Sequence, residues 1–188
     1  MSQAEDAAAE FAHEPILEQL SDLLDPVAVA PAALDRLMRA VSDVPHRYAP
    51  FFDRLSQLWD LPEPELRAVL ARSKERRAWR RPPLPGLEIM KVRGGPKTAG
   101  AELYLARFAP GATFPAHRHR GHEDVLVLEG SYTDDQGKTY ASGDVHHMAA
   151  GSEHTFRIAP DEPCIAAAAH HGIRFSNVWL RLLAKFFG

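Results

Sequence analysis

Apolar positions along this chain follow two rhythms, and the change falls near PPLPG at residues 82–86. Before it, apolar residues recur three or four apart. Ile16, Leu17, Leu20, Leu23 and Leu24 form one stripe. Leu34, Leu37, Met38 and Val41, following Pro31, form a second. Tyr48, Phe51, Phe52, Leu55, Leu58 and Trp59 form a third, the strongest, and Leu66, Val69 and Leu70 begin a fourth after Pro62 and Pro64. Such spacing collects apolar side chains on one helix face. The proline-bearing breaks DPVAVAP and DVPHRYAP separate the helices.

After residue 86 the runs shorten. LEIMKV, ELYLARFA, VLVLEG, DVHHMAA, HTFRIA and CIAAAA are divided by Gly, Pro and Asp, and TDDQGK has the composition of a hairpin turn. Many short strands with frequent turns predict a closed or sandwiched antiparallel fold. The tail returns to helical spacing, with Val178, Trp179, Leu182, Leu183 and Phe186 on one side and Arg181 and Lys185 on another. That stripe is expected to pack or to form a dimer seam. The expected organisation is a helical segment over 1–81, then a β-barrel with a C-terminal helix over 82–188. No internal repeat or low-complexity segment interrupts it.

Composition narrows the class. The 188 residues are 45% hydrophobic and 25% charged, as in a globular protein, and the net charge of −3 gives no global attraction to nucleic acid or membrane. Charge is unevenly distributed: residues 1–35 hold eight acids and no Lys or Arg, whereas residues 36–93 hold thirteen basic and seven acidic residues. Six of those basic residues fall in RSKERRAWRR, which reads first as a solvated helix end and second as a partner-binding patch. The single cysteine, Cys164, excludes an intrachain disulfide and any zinc site built on several cysteines; it reads as a small core residue. With no signal-peptide pattern and no apolar run near the ~18 residues of a membrane span, the expected location is cytoplasmic.

The stretch HRHRGHEDVLVLEG carries the candidate chemistry. On a strand, His117 and His119 point to the same face, and Glu123 shares their parity, with Gly121 allowing the backbone to adjust. Two imidazoles and a carboxylate converging on one interior point suit a divalent metal. His122 has the opposite parity and is expected to face solvent. Of the neighbours His146 and His147 only one can point inward, and His170 and His171 pose the same question. Tyr104, in register with Glu102, Ala106 and Phe108, either lines a cavity or packs.

Written out, Gly111, five residues, His117, one residue, His119, three residues, Glu123, six residues and Gly130 resemble the first motif of the cupin superfamily. Gly143, Gly151 and His154 resemble the second, which departs here at Ala149, where proline is usual, and at Ile158, where asparagine is common. The resemblance covers about residues 87–170. It implies a mainly β jelly-roll barrel holding one metal through His117, His119, Glu123 and His154. Zinc, iron, manganese, nickel and copper all suit that donor set, zinc and iron foremost. It also implies a homodimer.

HRHRGHEDVLVLEGSYTDDQGKTYASGD behind a helical segment is further similar to the ChrR-type cupins, anti-sigma factors whose helical part holds a sigma factor and carries a zinc site with a Cys-x-x-Cys pair. The present chain has no cysteine before position 164 and cannot form that site. The resemblance implies a regulatory or stress-sensing metal protein with a sigma factor or other regulator as partner. The same ligand set equally resembles that of cupin dioxygenases acting on small molecules, or a ligand-binding barrel whose metal is only structural.

Overall fold

The computed structural model describes residues 31–176. The first apolar stripe and the C-terminal one lie outside these residues. The chain divides into two compact units, 1–39 and 40–188. Helix α1 (Pro31–Ser42), which begins in the first, matches the second predicted stripe.

Within the second unit come α2 (Val44–Arg47), α3 (Phe52–Trp59) and α4 (Glu63–Arg72). Phe52, Leu55 and Trp59 bury one face of α3, and Leu66 and Leu70 bury one face of α4, at the spacing the sequence predicts. Helix α3 ends at Asp60, whose φ of 53° is left-handed, a conformation that Asp tolerates better than most residues. The Gly95 amide then donates to the Trp59 carbonyl (3.0 Å), and the Lys97 amide donates to the Asp60 carboxylate (2.9 Å). A Cβ at Gly95 would lie 2.1 Å from the Asp60 carbonyl oxygen, so glycine is required where this loop crosses the helix end.

Ten strands follow: β1 (Leu87–Val92), β2 (Glu102–Phe108), β3 (Thr113–His119), β4 (Glu123–Glu129), β5 (Ser131–Asp134), β6 (Thr139–Ala141), β7 (Val145–Met148), β8 (Glu153–Ile158), β9 (Cys164–His170) and β10 (Ile173–Phe175). They form two antiparallel five-stranded sheets, ordered β1-β2-β9-β4-β7 and β10-β3-β8-β5-β6. The fold is thus mainly β, as expected. The TDDQGK turn joins β5 to β6, and the Asp134 side chain accepts from the amides of Gln136 and Lys138. Strand β10 has no counterpart among the expected strands: three residues of Ile-Arg-Phe give too short a pattern to read.

Alternation along the first sheet serves two cores. Met90, Leu105, Leu126, Leu128 and Ala167 face outward and join Leu55, Trp59, Leu66 and Leu70 of the helices. Ile89, Tyr104, Ala106, Phe108, Val127 and Cys164 face inward and join Tyr132, Ile158 and Phe175 of the second sheet. Being buried on both sides explains why β2, β4 and β9 read as nearly continuous apolar runs. Residues 82–86 carry a buried Leu84, held on the inner core. Cys164 is a fully buried core residue, its thiol pushed up to about 12 by burial.

Trp59 is the largest fully buried side chain, and its indole N–H donates to the Ala168 carbonyl of β9 (3.2 Å). Trp59→Ala removes that contact and leaves a void between helix and sheet. It is expected to lower unfolding stability by roughly 3–5 kcal/mol, read from urea denaturation midpoints at constant slope.

Candidate metal centre

The two sheets enclose a group of three histidines. His117 and His119 lie two apart on β3 and share its inner face; β8 places His154 directly opposite His117. Their ring centroids are 4.6–5.1 Å apart: 4.8 Å for His117–His119, 4.6 Å for His117–His154 and 5.1 Å for His119–His154. One nitrogen from each ring lies within 4.8 Å of the others. Exposure is 2%, 1% and 8%, respectively, so water does not solvate them.

Hydrogen bonding leaves lone pairs turned inward. Nδ1 of His117 lies 2.9 Å from the Pro115 carbonyl, which can only accept, so the proton sits on Nδ1 and Nε2 is left as an acceptor. Nε2 of His154 is 3.1 Å from it. Neither ring nitrogen of His119 has a hydrogen-bond partner, nor has Nδ1 of His154. Burial pushes His117 down to about 4 despite the Pro115 contact, and burial followed by the proximity of His119 lowers His154. Buried imidazole nitrogens without hydrogen-bond partners are donors for a transition metal, and an ion would end the cost of leaving them unpaired. These three residues fit the metal that the sequence implies.

Glu123 arrives by a different route from the one expected. Parity along a single strand places His117 and His119 together, but the chain leaves the second sheet after His119, and Glu123 opens β4 in the first. Gly121 sits at the crossing, where a Cβ would lie 2.5 Å from the His171 Cβ. Glu123 reaches the group through His119: Oε2 is 2.8 Å from Nδ1, outside hydrogen-bonding geometry, and the side chain is 12% exposed. Burial alone would raise its pKa; the surrounding histidines, His119 first and then His170, outweigh burial and hold it below the ordinary carboxylate value.

The other histidines sort as their positions require. His146 turns inward, stacked on Tyr140 at 3.9 Å with Nδ1 3.0 Å from the Tyr132 hydroxyl, whereas His147 faces out and pairs with Asp124 at 2.6 Å. His122 is exposed, against His171 at 4.2 Å between ring centroids. His170 is buried, stacked on Tyr104 at 5.4 Å. Its Nδ1 accepts from the Gly172 amide (3.0 Å), which leaves Nε2 as the N–H, 3.5 Å from Glu102. Strand register sets Glu102 and Glu123 on either side of His170, so this imidazole stands beside the carboxylate nearest the three histidines. Sequence reading left His170 open and gave Glu102 no role, because their proximity depends on three strands far apart in the chain.

A model of the ChrR cupin-like domain matches residues 68–174, more than half of the chain. The chain belongs to the ChrR cupin-like family. The crystal structure of Rhodobacter sphaeroides SigE in complex with the anti-sigma ChrR aligns over 89% of this chain and 81% of that one, at 24% identity and a TM-score of 0.50. An RmlC-like cupin from Ralstonia eutropha aligns over 58% and 78%, at 18% identity and a TM-score of 0.47. The polyketide cyclase RemF from Streptomyces resistomycificus aligns over 58% and 84%, at 22% identity and a TM-score of 0.44. No curated protein matches the chain. Among the described residues, no helix is long and apolar enough to cross a membrane.

The lowered histidines fix the sign of one pH effect. His117 and His146 are both pushed down to about 4 by burial, against about 6.5 in the unfolded chain. Below about 6.5 the unfolded chain binds these protons first, so the metal-free protein loses stability as pH falls, until about 4. Melting of chelator-treated protein between pH 7.5 and 4 is expected to show that decline, and His146→Phe to make it shallower.

Proposed function

We propose that this chain is a metal-dependent regulatory cupin in which His117, His119, His154 and Glu123 hold one divalent transition metal, zinc or iron before manganese, nickel or copper. The observation that carries this reading is the set of buried imidazole nitrogens without hydrogen-bond partners. A small movement of the Glu123 carboxylate, already 2.8 Å from His119, completes a donor set of three nitrogens and one oxygen. His170, the cross-strand neighbour of Glu123, stands beside that carboxylate with its own nitrogens directed to the Gly172 amide and Glu102.

The helical segment, residues 1–81, supplies the partner surface in this reading, and the partner is a sigma factor or another regulator. Support comes from membership of the ChrR cupin-like family and from the likeness to the anti-sigma ChrR in its complex with SigE. With no cysteine before Cys164, binding does not use a cysteine-based zinc site in the helices, and the barrel metal becomes the sensing element. A cytoplasmic homodimer completes the proposal.

Metal analysis of the purified chain is expected to give one transition-metal ion per protomer. His119→Ala should abolish retention through desalting, and Glu123→Gln should weaken affinity by about 10–100-fold or more. Wild-type protein that takes up no transition metal would overturn the reading. Removing the metal should lower the melting temperature, and restoring it in excess should recover it. Affinity capture with the full chain should recover a sigma factor or other regulator; recovery of neither would remove the regulatory part while leaving the metal centre.

A further inference from the structure

The cavity beside the three histidines is walled almost wholly by apolar groups. Its volume is about 90 Å³, room for several water-sized bodies. Phe114 and Phe156 stack at 5.1 Å on one side, and Phe108 meets both edge-on. The opposite wall is unusually shallow: Ala106 of β2 and Ala166 of β9 are direct cross-strand partners, and Ala168 follows on the same face. The space is what larger side chains at these alanines would fill.

Apart from His117, His154 and Glu123, which the metal reading assigns to the ion, polar groups on the lining already have neighbours to satisfy them. The Tyr132 hydroxyl is bonded to His146, and His170 takes the Gly172 amide. No Lys, Arg, Ser, Thr, Asn or Gln lines the cavity among the described residues. A sugar or dicarboxylate would therefore bury hydroxyls or a second charge without a partner, which is costly. What remains attractive to a ligand is apolar contact along the walls and one donor position at the metal.

We infer that this cavity binds a small apolar molecule carrying a single anionic donor, of the class of a short monocarboxylate, with its donor toward the metal and its chain between the phenylalanine and alanine walls. The inference rests on the metal reading above and names the ligand class of that site.

Acetate, butyrate and succinate separate the possibilities, titrated into full-length protein loaded with cobalt(II), whose visible absorption reports a new donor. Butyrate is expected to bind roughly tenfold more tightly than acetate, because it buries two further carbons. Succinate, which has a carboxylate where butyrate has a methyl, should bind at least about tenfold more weakly than butyrate. Ala166→Leu should retain cobalt at unchanged stoichiometry and lose the preference for butyrate over acetate. Should that variant fail to fold, the three-ligand comparison on wild-type protein decides alone. Cobalt bound with acetate, butyrate and succinate equivalent, or with none binding, overturns the ligand class and leaves the metal reading standing. Failure to bind cobalt overturns both.

Discussion

Three imidazoles pressed together away from water govern the interior of this protein. Burial disfavours the protonated forms of His117 and His154, and neither nitrogen of His119 nor Nδ1 of His154 has a hydrogen-bond partner. Nδ1 of His117 is fixed by the Pro115 carbonyl, which turns Nε2 inward, and His119 has no hydrogen-bond partner at either nitrogen. An interior of this kind is stable as a ligand set and expensive as anything else. The apolar cavity follows from the same constraint: it keeps water away from the histidines.

The helices contribute by closing the far side of the first sheet. Leu55, Trp59, Leu66 and Leu70 cover Met90, Leu105, Leu126 and Ala167, so strands that hold the site inward are also packed outward. The tryptophan bond to the Ala168 carbonyl ties α3 to the strand whose next residues include His170. Helix packing and His170 thus share one strand, β9.

Around the three histidines lies a second set of polar residues with defined partners. Tyr132 and Tyr140 hold His146, and the Gly172 amide orients His170 between Glu102 and Glu123. Their hydrogen bonds leave few free polar atoms near the cavity, which is why its chemistry is dominated by phenylalanine and alanine. The single basic run that stood out in the sequence, residues 72–81, takes no part in this interior.

Much was legible locally. Periods of three and four placed α3 and α4, short apolar runs placed six of the strands, and two-residue spacing put His117 and His119 on one face of a strand. These are short-range consequences of backbone geometry. What the chain order could not supply were relations between distant segments. Glu123 comes close to the histidines because the backbone crosses from one sheet to the other at Gly121, where strand parity no longer applies. Ile173–Phe175 becomes a strand only because β3 offers it an edge, and Glu102 meets His170 only through sheet register. Residue type and spacing determined which donors were present; tertiary packing decided which of them face one another, because burial and proximity are properties of the folded chain.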